Sequence, residues 1–124
     1  MQTDKQPESR SVREIADTRR QPRFQLGVNI SIRSKTSGTL SGYTVDISET
    51  GISANLRMEV PLDELVELDF TLPRGAVSIY AVVRQRNAFR FGFQFVESNA
   101  MSEIIRLTCR DLALAQSLKS SDSL

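Results

Sequence analysis

Three arginines near the start of the chain form its strongest candidate anion site. Arg19, Arg20 and Arg23 lie within five residues, and Pro22 separates the second from the third. A guanidinium group binds a phosphate, or the O6/N7 edge of guanine, through two parallel hydrogen bonds. A solvated basic linker would show the same cluster, so the arginines alone leave both interpretations open.

A second polar group follows at residues 46–51, with the sequence Asp-Ile-Ser-Glu-Thr-Gly. Ile47 is expected to face the core, which predicts that Asp46 and Ser48 both face outward. A carboxylate can accept the N1–H and N2–H donors of guanine, and a hydroxyl can add one more hydrogen bond. Gly51 would allow a left-handed backbone that approaches a flat ligand. The alternative is a polar turn that merely closes a hairpin.

The two groups are complementary. An arginine-rich arm that binds phosphates and a turn that recognises a guanine edge would form the two halves of one nucleotide site.

Alternating apolar and polar residues predict the strands that would position these groups. Six strands are expected at about 24–32, 43–47, 52–56, 66–72, 77–83 and 89–95, with turn residues between them. The last carries Phe89, Phe91, Phe93 and Phe95 on one face, which indicates core packing. This pattern is typical of an antiparallel barrel or sandwich.

The ends of the chain have a different character. Residues 1–18 are mostly polar and charged and are expected to form a flexible arm before a barrel at 19–97. Helical spacing of apolar residues then predicts a helix at 98–118, followed by a tail at 119–124. That helix would either plug one mouth of the barrel or form a dimer surface, so a monomer or a weak homodimer is expected.

Composition excludes several classes of function. The chain has 124 residues, no His, one Cys and a formal charge of +1. Without His, neither a His metal site nor a His-containing triad can form. A single Cys cannot form an internal disulfide, so a reducing, cytoplasmic setting is expected, with Cys109 as a buried structural thiol. No apolar run approaches the ~18 residues that a membrane helix needs, so no membrane insertion is expected.

Together these residues resemble the PilZ domain family. That family carries an R-x-x-x-R motif before the first strand and a D/N-x-S-x-x-G motif in the next hairpin. Here the motifs are Arg19 to Arg23 and Asp46 to Gly51, and Gly92-Phe93-Gln94-Phe95 resembles the closing strand of the family. The resemblance covers about residues 19–97.

The resemblance implies a six-stranded antiparallel barrel with a C-terminal helix that binds cyclic di-GMP, with no metal and no further cofactor. It implies that Arg19 and Arg23 hold phosphates and guanine edges. Asp46, Ser48 and Gly51 would wrap one guanine, and Arg20 lies at a variable position of the motif. The family often has another Arg where Thr18 stands here, which favours one ligand molecule per site over a stacked pair.

The expected function is therefore a non-catalytic receptor whose arm is ordered by cyclic di-GMP and signals to a protein partner. The alternative is a PilZ-type assembly module that acts through protein contacts without a nucleotide. DNA or RNA binding is not expected, because only Tyr43 and Tyr80 are plausible exposed aromatics and the net charge is small. An enzyme is not expected, because Asp46 and Ser48 lack a His or a nearby Lys to activate them.

Overall fold

The computed structural model of the protein describes residues 21–96 and 99–122. The predicted arm at 1–18, together with Arg19 and Arg20, therefore lies outside the described residues. Within them the chain forms strands and one helix in the order β1 (Phe24–Gln25), β2 (Asn29–Ser34), β3 (Gly38–Ile47), β4 (Gly51–Leu56), β5 (Leu65–Leu72), β6 (Gly75–Asn87), β7 (Arg90–Phe95) and α1 (Asn99–Asp122).

The strands pair antiparallel in one sheet that closes on itself. The order is β1-β3-β2-β5-β6-β7-β4, and β4 also pairs with β3, which joins the two ends. The short β1 only extends the pairing along β3, so the closed part is a six-stranded barrel. The predicted barrel with a C-terminal helix is confirmed.

The barrel interior is filled by the inward residues of each strand, as in other small barrels. Strands β5 and β6 show the alternation most clearly, because every second residue is buried: Val66, Leu68, Phe70, Leu72, Val77, Ile79, Ala81 and Val83. The polar residues between them face outward. The outer surface is therefore available for function, and the interior is a packed core.

A bulge in β3 determines which of its side chains reach that outer surface. Thr44 lies opposite Ala54 and Asp46 lies opposite Ser53, so Val45 is an extra residue in the pairing. The extra residue shifts the alternation, since Thr44 is buried while Tyr43 is exposed. Tyr43 and Asp46 consequently share the outer face, which a strict period of two would not predict.

The predicted first strand at 24–32 is divided into β1 and β2, because residues 26–28 lie beside the bulge of β3 and are not part of a regular strand. The Thr44 hydroxyl group accepts a hydrogen bond from the Val28 amide at 2.9 Å, and its O–H donates one to the Leu26 carbonyl. The split leaves β1 beside the end of β3, with Phe24 opposite Ile47 and Gln25 opposite Asp46. This pairing brings the residue before β1, Arg23, close to Asp46.

The prediction that four phenylalanines share the core is wrong for Phe89. Phe91 and Phe93 are buried, but Phe89 is 69% exposed. It lies with Ala88 in the turn between β6 and β7, where Asn87 pairs with Arg90. A turn residue does not follow the alternation of the strand after it, and Ala88 has a left-handed φ of 57°.

The first half of α1 packs on the barrel beside β1 and β6. Ile105 and Cys109 belong to the buried core, and Asp111 accepts two hydrogen bonds from Arg74 in the β5–β6 turn, at 2.7 and 3.1 Å. Leu114 is exposed. The helix continues to Asp122, so the predicted tail at 119–124 is helical over its first part, where the sequence has no Gly or Pro to end it.

Cys109 has the environment of a structural thiol. Its side chain is buried and not in a disulfide. Burial, with a smaller contribution from the negative charge of Glu49, raises the pKa of the thiol to about 11. It therefore stays protonated near neutral pH, which disfavours a reactive role.

Candidate functional site

The outer surface of β3, β4 and β7, called the site face below, carries Asp46 of the second motif, and Arg23 of the first motif lies against it. Across these three strands Asp46 lies opposite Ser53, and Ser53 lies opposite Gly92. The neighbouring row is Tyr43, Asn55 and Arg90. The first row is low and flat because Ser53 and Gly92 have little or no side chain.

Asp46 is the centre of the hydrogen-bond network on the site face. Its Oδ1 accepts hydrogen bonds from Arg23 Nε at 3.0 Å and from Ser53 Oγ at 2.8 Å. Its Oδ2 accepts one from Arg90 Nη2 at 2.6 Å. One carboxylate thus lies between two guanidinium groups, one from the start of β1 and one from β7.

This network changes the acidity of Asp46, whose side chain is only 16% exposed. Partial burial opposes ionisation, but hydrogen bonds from Ser53 and Arg23 and the positive charges of Arg23 and Arg90 outweigh it. The pKa of Asp46 is therefore lower than the ordinary Asp value. Asp46 is a carboxylate acceptor at neutral pH.

Ser48 does not face outward as predicted from the sequence. It is fully buried, and its hydroxyl oxygen accepts hydrogen bonds from the backbone amides of Thr50 at 3.2 Å and Gly51 at 3.1 Å. The Ser48 amide also donates to the Gly51 carbonyl at 2.8 Å. Ser48 thus stabilises the β3–β4 turn, and the outward expectation fails because Ser48 follows the last paired residue of β3.

Gly51 is also needed for a reason other than the expected one. Among the described glycines only Gly38 and Gly75 have a positive φ, so the left-handed backbone expected at Gly51 is not present. A Cβ on Gly51 would instead lie 2.4 Å from the carbonyl oxygen of Phe93 in β7. Glycine therefore permits the close approach of β4 and β7 beside the site.

The structure brings some predicted site residues together and identifies one more. Arg23 contacts Asp46, so the last residue of the first motif touches the first residue of the second. Arg19 and Arg20 lie outside the described residues. Arg90 is not among the predicted site residues. The only sign of it in the sequence is its predicted outward position, two residues before Gly92 in the last strand.

The site face suits an anion that also carries hydrogen-bond donors. Two guanidinium groups surround one carboxylate, so the cluster formed by Arg23, Asp46 and Arg90 has a net positive charge. Asp46 is mostly buried, but the guanidinium groups of Arg23 and Arg90 are about half exposed and can be reached by a ligand from solvent. In the part of the chain that the structure describes, no cluster of three His, Cys, Asp or Glu side chains could hold a metal ion.

The sequence profile of the PilZ domain family matches residues 17–109, which is most of the chain. The chain belongs to the PilZ domain family. The match includes both motifs, the whole barrel and the buried half of α1. A comparison with curated proteins found no match to this PilZ chain.

Solved PilZ structures show the same fold at low identity. The PilZ domain with c-di-GMP of YcgR from Escherichia coli has a TM-score of 0.64 and 14% identity, covering 85% of this chain and 98% of that one. The PilZ domain of CeSA from a cellulose-synthesizing bacterium has a TM-score of 0.58 and 18% identity, covering 70% and 94%.

A longer PilZ protein is similar as well. The MrkH–c-di-GMP complex of K. pneumonia has a TM-score of 0.68 and 21% identity, covering 81% of this chain and 53% of MrkH. This PilZ domain therefore spans about half the length of MrkH. None of the helices in residues 21–96 and 99–122 is long and apolar enough to cross a membrane.

Proposed function

We propose that this PilZ domain is a non-catalytic receptor that binds cyclic di-GMP on the site face. The observation that carries the proposal is the contact of Arg23 with Asp46 at 3.0 Å, because it joins the two motifs on one open surface. YcgR and MrkH, two of its structural neighbours, hold c-di-GMP in their complexes.

Each motif has a distinct task in the proposed complex. Asp46 accepts the N1–H and N2–H donors of one guanine, a role for which its ionised carboxylate is suited. Arg19 and Arg23 bind phosphates and guanine edges, with Arg20 as a supporting charge. Ser48 and Gly51 contribute by shaping the turn and the strand approach that hold Asp46 in place.

Binding is an exchange of partners. In the described structure, the guanidinium groups of Arg23 and Arg90 are occupied by Asp46. Because both arginines are half exposed, solvent screens each pair with Asp46 and holds its contribution to on the order of 1 kcal/mol, whereas a charged hydrogen bond to a ligand contributes roughly 1.5–3 kcal/mol. A dianionic ligand that also donates to Asp46 can therefore replace the internal pairs.

The proposed output is the ordering of the arm. Fixing each residue costs on the order of 1–2 kcal/mol, which offsets part of the gain from arginine–phosphate contacts and keeps binding reversible. The ordered arm then creates or covers a surface for a protein partner. The proposal includes a reducing, cytoplasmic setting, where a nucleotide messenger and an unpaired Cys109 would both be expected.

The first test is calorimetric titration of the folded chain with cyclic di-GMP. We expect micromolar or tighter binding with one ligand per chain, and an affinity reduced about 10–100-fold in Arg23→Ala, since the charged hydrogen bonds are lost. Arg33→Ala is the matched control, because Arg33 is equally exposed and also paired with carboxylates, but lies on another face. Its affinity should equal that of the wild type.

Hydrogen exchange on the same samples tests the output. Residues 10–23 should exchange more slowly with ligand than without it. Equal exchange in a saturated sample would contradict arm ordering while leaving the receptor function intact. A well-folded wild type that does not bind would contradict the receptor proposal and favour the assembly module.

A further inference from the structure

An open groove adjoins the site face at Arg90. It has a volume of about 1020 Å³, and its walls include Tyr43, Asn55, Arg57 and Phe89 as well as Arg90. Tyr43, Asn55 and Arg90 form the strand row next to that of Asp46. Adjacent rows on one face are only about 7 Å apart, so the groove and the Asp46 network form one continuous surface.

Two aromatic rings stand in the walls of this groove. Phe89 is 69% exposed and Tyr43 is 54% exposed. The Tyr43 hydroxyl donates a hydrogen bond to the Gly27 carbonyl at 2.9 Å, which fixes the ring in place. The exposed ring of Phe89 therefore offers an apolar face at the edge of the groove on which a flat ligand can stack.

The charges in the groove favour an anionic partner. Arg57 has no hydrogen bond or ion pair to any described residue, and Arg90 contacts only Asp46 and Ser53 across the site face. A planar aromatic ring beside two guanidinium groups suits a purine base joined to a phosphate.

We propose that this groove binds the second guanine base of the same cyclic di-GMP molecule, stacked on Phe89, with Arg57 close to a phosphate. The inference rests on the proposed function, in which Asp46 recognises only one of the two bases. The second base needs its own surface, and Arg90 lies between the two subsites. Because stacking is the main contact, the second subsite is less selective for the base than the first.

The test uses two Phe89 variants in the full chain. Phe89→Ala should weaken cyclic di-GMP binding about tenfold, as expected for the loss of one base–aromatic stack. The chain contains no Trp, so Phe89→Trp places a single fluorescent reporter at the groove. It should keep near-wild-type affinity, and its fluorescence should be quenched along the calorimetric binding curve. Tyr80→Ala is the matched control, because Tyr80 is an exposed ring on β6 outside the groove.

The outcomes separate this inference from the proposed function. Unchanged affinity in Phe89→Ala, or unquenched fluorescence in a Phe89→Trp sample that binds by calorimetry, would overturn the second subsite and leave the receptor standing. An equal loss in Tyr80→Ala would also overturn it. A wild type that does not bind would overturn both.

Discussion

The outer surface of the barrel carries two arginine–carboxylate networks with opposite stoichiometry. On the site face, Arg23 and Arg90 share the single carboxylate of Asp46. On the surface of β2, β5 and β6, called the acidic face below, Arg33 is shared by two carboxylates. Its guanidinium lies 2.8 Å from Glu67 Oε1 and 2.5 Å from Asp69 Oδ2.

Each of the two networks also contains a serine hydroxyl that donates a hydrogen bond to a carboxylate, so they differ mainly in the ratio of arginines to carboxylates. Ser53 donates to Asp46 at 2.8 Å and Ser78 donates to Glu67 at 3.0 Å. The hydrogen bonds from Arg33 and Ser78 hold the pKa of Glu67 below its ordinary value, as the pKa of Asp46 is held below its own on the site face.

The difference in sign therefore decides which face can accept an anion. On the site face, the ligand of the proposed complex would meet two cations and one anion, and its guanine would offer hydrogen-bond donors to the carboxylate of Asp46. On the acidic face the same ligand would meet two carboxylates around one cation. Under the proposed function, the salt bridges of the site face are exchanged for ligand contacts, whereas those of the acidic face stay in place.

The largest expected effect tests how the site face is held together. Gly51→Ala places a Cβ 2.4 Å from the Phe93 carbonyl, so β4 and β7 must separate. Overpacking against backbone should lower the free energy of unfolding by about 2 kcal/mol, measured by urea denaturation. The acidic face is joined instead by the β5–β6 hairpin and should not be affected directly.

Gly92→Ala is the control on the same face. The three heavy atoms nearest to its Cβ would all belong to the Gln85 side chain, at 3.4 Å or more, so stability should change by less than ~0.5 kcal/mol. The added methyl group would nevertheless stand in the flat row beside Asp46 and weaken cyclic di-GMP binding. Equal destabilisation by both substitutions would contradict the explanation given for Gly51.

The sequence predicts the barrel because alternation depends only on neighbouring residues. Val66 to Leu72 and Val77 to Val83 are buried in every second position, as a period of two requires. The sequence also predicts that Arg23 and Asp46 belong to complementary halves of one nucleotide site, although it does not predict that the two side chains contact each other.

The rest depends on the tertiary structure. The extra Val45 exposes Tyr43 and splits the first strand, and no local pattern marks it as a bulge. Arg90 reaches Asp46 across 44 residues of sequence through the closure of the barrel. Glycine is required at position 51 because the Phe93 carbonyl of β7 lies close to it. The residues next to Gly51 in the sequence give no sign of that contact.

A smaller effect should separate the two networks directly. Arg90→Gln removes one cation from the site face and should weaken cyclic di-GMP binding about tenfold, close to the contribution of one charged hydrogen bond. Glu67→Gln removes one anion from the acidic face and should change affinity less than twofold. At ~0.15 M salt the Debye length is about 8 Å, so charge on another face is largely screened.

A different outcome for Arg90→Gln and Glu67→Gln would contradict the contrast drawn between the two faces. If Glu67→Gln strengthened binding as much as Arg90→Gln weakened it, the overall field of the protein, rather than the stoichiometry of each face, would govern binding. Repeating both titrations at higher salt would then reduce both effects together.

The smallest expected effect is the pH dependence of the Asp46 network. Because the pKa of Asp46 is lower in the folded protein than in the unfolded chain, the unfolded chain binds the proton first as the pH falls. The stabilisation is therefore complete at neutral pH and is lost as the pH falls below the ordinary Asp value of about 4. Since both arginines are half exposed, we expect less than ~1 kcal/mol.

Urea denaturation of the wild type and of Asp46→Asn, each at pH 7 and pH 3, measures the stabilisation that the ionised Asp46 carboxylate contributes. The wild type should be the more stable protein at pH 7, and the difference should shrink at pH 3, because the amide neither titrates nor pairs with Arg23 and Arg90 as an anion. Glu67→Gln is the control on the acidic face, because it removes a carboxylate there and leaves the Asp46 network unchanged. A wild-type advantage over Asp46→Asn that is as large at pH 3 as at pH 7 would mean that packing, and not the charge held between two arginines, is what Asp46 contributes to the fold.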